Sequence, residues 1–165
     1  MGEASLLTNN FIIMSYILQK VAVILGLALI LSGFFQLKKY GEQRSMMSTQ
    51  MSAFGPTLMI ICGSVLLILP EAIGAAVLAF WGTNNPLSYD GGPSGYSALI
   101  PPLLIMVRVV GVGSFIRGVI LLAKSGGQHG QPGQTGKAFT YIIAGVFCIH
   151  ILGTIDLLEN IMGLG

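Results

Sequence analysis

Residues 124–137 read KSGGQHGQPGQTGK and stand between two long apolar runs, residues 98–123 and 139–158. Glycine, glutamine and Pro132 dominate this stretch, so it has little with which to bury a core, and Gly and Pro favour tight turns over helix or strand. It reads as a short connection closing a pair of membrane helices. A second connection of the same kind, KKYGEQRSMMSTQMS at residues 38–52, lies between apolar runs at 11–37 and 53–69. Each run approaches or exceeds the roughly 20 residues that a helical span requires.

Composition points the same way. Of the 165 residues, 53% are hydrophobic and 8% charged, and the mean hydropathy is +0.81. Too few charges are present to solvate the surface of a water-soluble domain. The net charge of +2 arises from few groups, so the placement of Lys and Arg matters more than their total, and no sequence-specific nucleic-acid partner is suggested. Cys62 and Cys148 each sit alone in an apolar run, whereas a disulfide or metal framework needs thiols at close spacing. Gly136-Lys137 resembles the end of a phosphate-binding loop, but Ala138 lacks the required hydroxyl and Gln131 stands where the first Gly belongs. The expectation is a protein with no catalytic residues, no metal and no cofactor.

The chain order gives an all-α membrane protein of four spans, arranged as two tandem helical hairpins. Residues 1–10 are polar, with Glu3 and no Lys or Arg; they lack the basic start and cleavage site of a secretory signal and read as part of the mature chain. The first hairpin occupies residues 1–81. Its second apolar run stops at Pro70-Glu71, and residues 73–81, ending in Trp81, read as an interfacial or splayed continuation. Residues 82–97 form a connection containing Asp90, and residues 98–165 form the second hairpin. Lys38, Lys39, Arg44, Lys124 and Lys137 all fall in the two hairpin connections. The positive-inside rule therefore places residues 38–52 and 124–137 in the cytoplasm, and the termini and the middle connection outside, in the periplasm of a Gram-negative cell.

A constant shift of 85 residues aligns Gly26 with Gly111, Gly33 with Gly118, Leu37 with Leu122, Lys39 with Lys124, Gly41 with Gly126, Gln43 with Gln128, Ala53 with Ala138 and Phe54 with Phe139. With two spans per copy, the copies share one topology and form a parallel internal repeat. Gly26, Gly33, Gly111 and Gly118 place small residues near one face of each first helix, where another helix can approach closely. That helix can belong to the same chain or to a neighbouring subunit.

Five charges fall within or beside the apolar runs: Lys20, Glu71, Arg108, Arg117 and Asp156. At 1.5 Å per residue, straight helices put Arg117 about 10 Å and Arg108 about 24 Å from the basic boundary, with Lys20, Glu71 and Asp156 each about 27 Å away. Lys20, Glu71, Arg108 and Asp156 would then share one outer layer. They read either as a charged constriction facing a bundle interior or as side chains that snorkel and pair at the headgroups. His150, near mid-membrane, reads as a hydrogen-bonded packing residue.

Three strings carry a family resemblance: YGEQRSMMSTQMSAFGP at residues 40–56, ILP at 68–70, and SFIRGVILLAKSGGQHGQPGQTGKAF at 114–139. They resemble the IcmC/DotE family of inner-membrane proteins of Dot/Icm type IVB secretion systems and IncI-type conjugation systems. The sharpest parts are Arg117-Gly118 and the QPGQTGK string at 131–137. The resemblance implies a small multi-pass component of a machine that moves protein or DNA across the Gram-negative envelope, with virulence as one setting. Beside it, each hairpin has the plan of a type IV secretion pilin, two spans and a basic connection. The leading expectation is a structural, homo-oligomeric subunit whose basic connections meet lipid headgroups, other secretion components or cytoplasmic ATPases. A pilin-like ring or filament and a small-solute or ion channel are the alternatives.

Overall fold

The computed structural model describes residues 2–44, 53–82, 100–126 and 133–163. Its elements are all helices: α1 (Gly2–Arg44), α2 (Phe54–Leu67), α3 (Leu69–Trp81), α4 (Ile100–Ser125), α5 (Gln134–Ile149) and α6 (Ile151–Met162). α1 and α4 are long and apolar enough to cross a bilayer, and α2 with α3 and α5 with α6 form two further candidate spans, each sharply bent. The chain therefore has two to four candidate membrane spans.

Several boundaries differ from the sequence reading. No proline interrupts residues 2–44, and α1 runs through both the polar start and the Lys38–Lys39 pair to Arg44. At 43 residues it is about 65 Å long, twice the ~30 Å hydrocarbon layer. α4 continues to Ser125, and α5 begins at Gln134 after Gly133 at φ 83°. Gly136 and Lys137 are thus helical, and the second connection is shorter than residues 124–137. Most of residues 38–52 and of 82–97, Asp90 among them, and residues 127–132 lie outside the described residues.

The largest correction concerns the fourth apolar run. Residues 139–158 are not one straight span: α5 and α6 meet at His150 with a bend of 97°, and α2 and α3 meet at Ile68 with a bend of 91°. Pro70 explains the first break. It lies at the start of α3, where its missing N–H costs nothing to a new helix but could not have continued the old one. No proline marks the second break, and His150 and Thr154 shape it instead. Both bent segments then end on a left-handed glycine, Gly82 and Gly163, each at φ 67°, a conformation that glycine adopts without penalty.

Packing is closest along two glycine seams. A Cβ on Gly26 would lie 2.7 Å from the Gly63 carbonyl oxygen, and one on Gly63 would lie 2.7 Å from that of Gly26. In the second hairpin the pair is Gly111 with Gly145, at 2.8 Å in both directions. Gly33 lies against Ile60 and the Pro56 carbonyl, and Gly118 against Ile142 and the Ala138 carbonyl. First helices thus correspond at the expected 85, while second helices correspond at 82: Pro56 with Ala138, Ile60 with Ile142, Gly63 with Gly145. Ala53/Ala138 and Phe54/Phe139 are not equivalent pairs, because Gly33 and Pro56 are 23 positions apart while Gly118 and Ala138 are 20. The breaks obey the same spacing. Ile68 N–H donates to the Ser64 carbonyl and His150 N–H to that of Val146, both at 3.2 Å.

α4 runs in the same direction as α1. Gly113 lies near Leu18, and Gly126 lies against Gly55 and Leu58, next to Met59, which Gln36 of α1 bonds at 3.3 Å. Between the hairpins lies one core of Ala22, Cys62, Leu66, Leu69, Phe115, Val119, Ala123 and Val146, among others. Hydroxyls on the apolar helices bond their own carbonyls, as Ser64 does to Ile60 at 2.9 Å and Thr140 to Gly136 at 3.0 Å, which satisfies them without water.

Gly26→Ala and Gly111→Ala are each expected to destabilise the protein by about 1–3 kcal/mol, the usual cost of overpacking. Gly74→Ala and Gly136→Ala add a methyl group where nothing lies within 4 Å; they should be neutral or stabilising by up to ~1 kcal/mol, since Ala is the better helix former. Unfolding in mixed dodecyl maltoside and SDS micelles measures the difference. Equal effects at all four sites would contradict the seams.

Candidate functional site: the Trp81–His150 junction

The two bent segments meet where α3 ends. Trp81 stacks on His150 with ring centroids 4.9 Å apart and 7° between planes. Phe147 meets Trp81 edge-on at 5.4 Å and 88°, and Phe80 closes the group at 5.7 Å from Phe147. Such aromatic contacts each contribute about 0.5–1.5 kcal/mol beyond area burial. Ile68 and His150 occupy equivalent breaks, yet Ile68 is 55% exposed and His150 only 6%. The difference is Trp81, which covers His150.

His150 also caps α6. Its Nδ1 accepts from the Gly153 N–H at 2.9 Å, satisfying one of the free donors at a helix start. Thr154 completes the joint: its Oγ1 lies 2.9 Å from the carbonyl oxygens of both Phe147 and His150, which share its one hydrogen. The Phe147 carbonyl is one that the break deprives of its ordinary helical donor. Gly153 has no Cβ, and one built there would run into the His150 ring and lie 2.8 Å from Trp81 Cδ1.

The cap fixes the chemistry of the ring. With Nδ1 accepting, the neutral imidazole carries its proton on Nε2, which is then a donor. His150 Nε2 and Trp81 Nε1 are both buried and have no hydrogen-bond partner among the described residues. Two stacked rings therefore each carry a buried donor with no acceptor among the described residues.

The five singled-out charges are mostly exposed. Lys20 is exposed and lies over the Tyr16 ring at 4.9 Å, and Arg117 is exposed over Tyr141 at 5.1 Å. Glu71 and Asp156 are exposed beyond the two breaks, and Arg108 is half-buried on α4. The straight-helix depths of Glu71 and Asp156 do not hold, because both helices turn before reaching them. Among the described residues these five charges form no ion pair; the pair present is Lys38 with Glu42 at 3.9 Å, fully on the surface. Lys39, Lys124 and Lys137 are exposed near the same end of the bundle, and Arg44 closes α1. The four glycines Gly26, Gly33, Gly111 and Gly118 face helices of the same chain. Cys62 is buried and Cys148 half-buried, both as free thiols. Among the described residues no three of His, Cys, Asp and Glu converge on a point.

No family model, curated protein or solved structure matches the chain.

Gly153→Ala should push the His150 ring off its cap and away from Trp81. Trp81 is the single tryptophan, so its emission reports this joint directly. A red-shifted maximum and greater quenching by acrylamide are expected. An unchanged spectrum would show that the stack does not depend on Gly153.

Proposed function

We propose that this chain is a structural subunit of the inner-membrane platform of a type IVB secretion or conjugation apparatus. In this reading it crosses the membrane four times as two tandem, parallel hairpins. The observation that carries the structural part is the recurrence of one joint: a glycine seam between a long and a short helix, followed at equivalent positions, Ile68 and His150, by bends of 91° and 97°. α2 and α5, at 14 and 16 residues, are only about 21 and 24 Å long. Each would carry the chain across most of the hydrocarbon layer and turn into the opposite interface, where α3 and α6 lie along the surface. The apparatus is proposed from the resemblance of residues 40–56, 68–70 and 114–139 to the IcmC/DotE family.

Two surfaces suit a subunit in a larger assembly. α1 leaves Ile24 68% and Phe35 72% exposed, an apolar flank for lipid or for another copy. Lys38, Lys39, Lys124 and Lys137 gather at the end assigned to the cytoplasm, where each basic residue near anionic lipid contributes about 1 kcal/mol and where a secretion ATPase would dock. Lys20 and Arg117 point outward from the described bundle, which favours a scaffold over a channel lined within one chain.

The test is imaging of the chain extracted in mild detergent from its own host. Co-extraction with other envelope components of the apparatus is expected. A closed ring or filament of identical copies would assign a pilin-like role instead. A lone species that supports solute flux in liposomes would contradict the structural reading and make it a transporter.

A further inference from the structure

We propose that the Trp81–His150 junction binds the phosphate oxygens of an anionic lipid headgroup, with Trp81 Nε1 and His150 Nε2 donating and Arg108 supplying the positive charge. Both junction nitrogens are donors only, so whatever completes them must accept. An unpaired donor inside a membrane protein is costly, and the described residues offer neither group a partner. The N-terminus of α6 begins at this histidine, and a helix start favours negative charge.

Arg108 lies at a similar level along the bundle. Gly111 touches Gly145, and counting antiparallel from that contact sets Arg108 level with Cys148, just short of His150. Helical side chains lean toward the N-terminus of their helix, which carries the guanidinium toward the level of the break. α4 and α6 are in contact. Arg108 is half-buried and has no hydrogen bond or ion pair among the described residues. Guanidinium with two neutral N–H donors is a set that matches a phosphate.

Depth selects a lipid as the source. The junction lies one short helix, about 21–24 Å, from the basic end of the bundle, which brings it to the opposite headgroup layer of a ~30 Å core. Tryptophan is at home at that level. The site needs only the membrane setting, not the role in secretion, so its failure is read separately from that of the proposed function.

Trp81 emission of the full chain in dodecyl maltoside provides the test, titrated with short-chain phosphatidylglycerol, with short-chain diacylglycerol, and with inorganic phosphate. A saturable change with phosphatidylglycerol and none with diacylglycerol is expected. An equal response to inorganic phosphate would keep the site and assign it to free phosphate. Arg108→Gln should raise the half-saturation concentration about tenfold, the loss of one charge-assisted contact, while Arg117→Gln should leave it in place. No response, an equal response to diacylglycerol, or a titration that Arg108→Gln does not move would each overturn the proposal.

Discussion

Backbone meets backbone along two seams, Gly26 against Gly63 and Gly33 against Pro56 in the first hairpin, and Gly111 against Gly145 and Gly118 against Ala138 in the second, and the remaining geometry depends on those contacts. Lipid chains are as apolar as leucine, so burial supplies little force between helices in a bilayer, and dispersion at close range must hold them. Removing both Cβ atoms at each crossing brings the helix axes close enough for that. It also fixes register. Once Gly63 is set on Gly26, Ile60 must face Gly33, and the break at Ile68 falls a fixed distance beyond; the same holds for Gly145, Ile142 and His150.

One geometry is reached by two chemistries. At the first break a proline ends one helix by refusing to donate and begins the next because it has no need to. At the second, a histidine side chain takes the N–H of Gly153 and a threonine hydroxyl serves the Phe147 carbonyl. The proline joint is self-contained and leaves Ile68 exposed. The histidine joint has an aromatic ring to shelter, and Trp81 from the first half covers it. That contact ties the halves together at the end opposite the basic connections, and it leaves two donors turned away from solvent.

Much of this was legible in the residues. The four glycines of the first helices, the apolar runs and the polar connections all follow from local composition, and the repeat showed itself through Gly26, Gly33, Leu37 and Lys39 with their partners 85 residues on. The register of the second helices was not, because the spacing between the two seam helices is three residues shorter in the second hairpin and moves every later equivalence to 82, and chance matches at Ala138 and Phe139 hid the change. The bend at His150 left a faint signal, a histidine three residues before a glycine and four before a threonine. The Trp81 stack left none, since it joins residues 69 positions apart whose meeting depends on how the halves pack. The depths of Glu71 and Asp156 counted along straight helices do not carry over, because both helices turn before reaching them.

Two parallel hairpins crossing the membrane four times is the central claim, and chemical topology tests it most directly. In a background carrying Cys62→Ala and Cys148→Ala, single cysteines at Ser48, Ser88, Gln128 and Asn160 would be labelled in intact cells and in inverted vesicles with a membrane-impermeant maleimide. Labelling of Ser88→Cys and Asn160→Cys is expected from outside the cell, and of Ser48→Cys and Gln128→Cys only from the cytoplasmic face. Labelling of Ser88→Cys or Asn160→Cys from the same face as Ser48→Cys would make the corresponding bent pair a re-entrant loop and would contradict that claim.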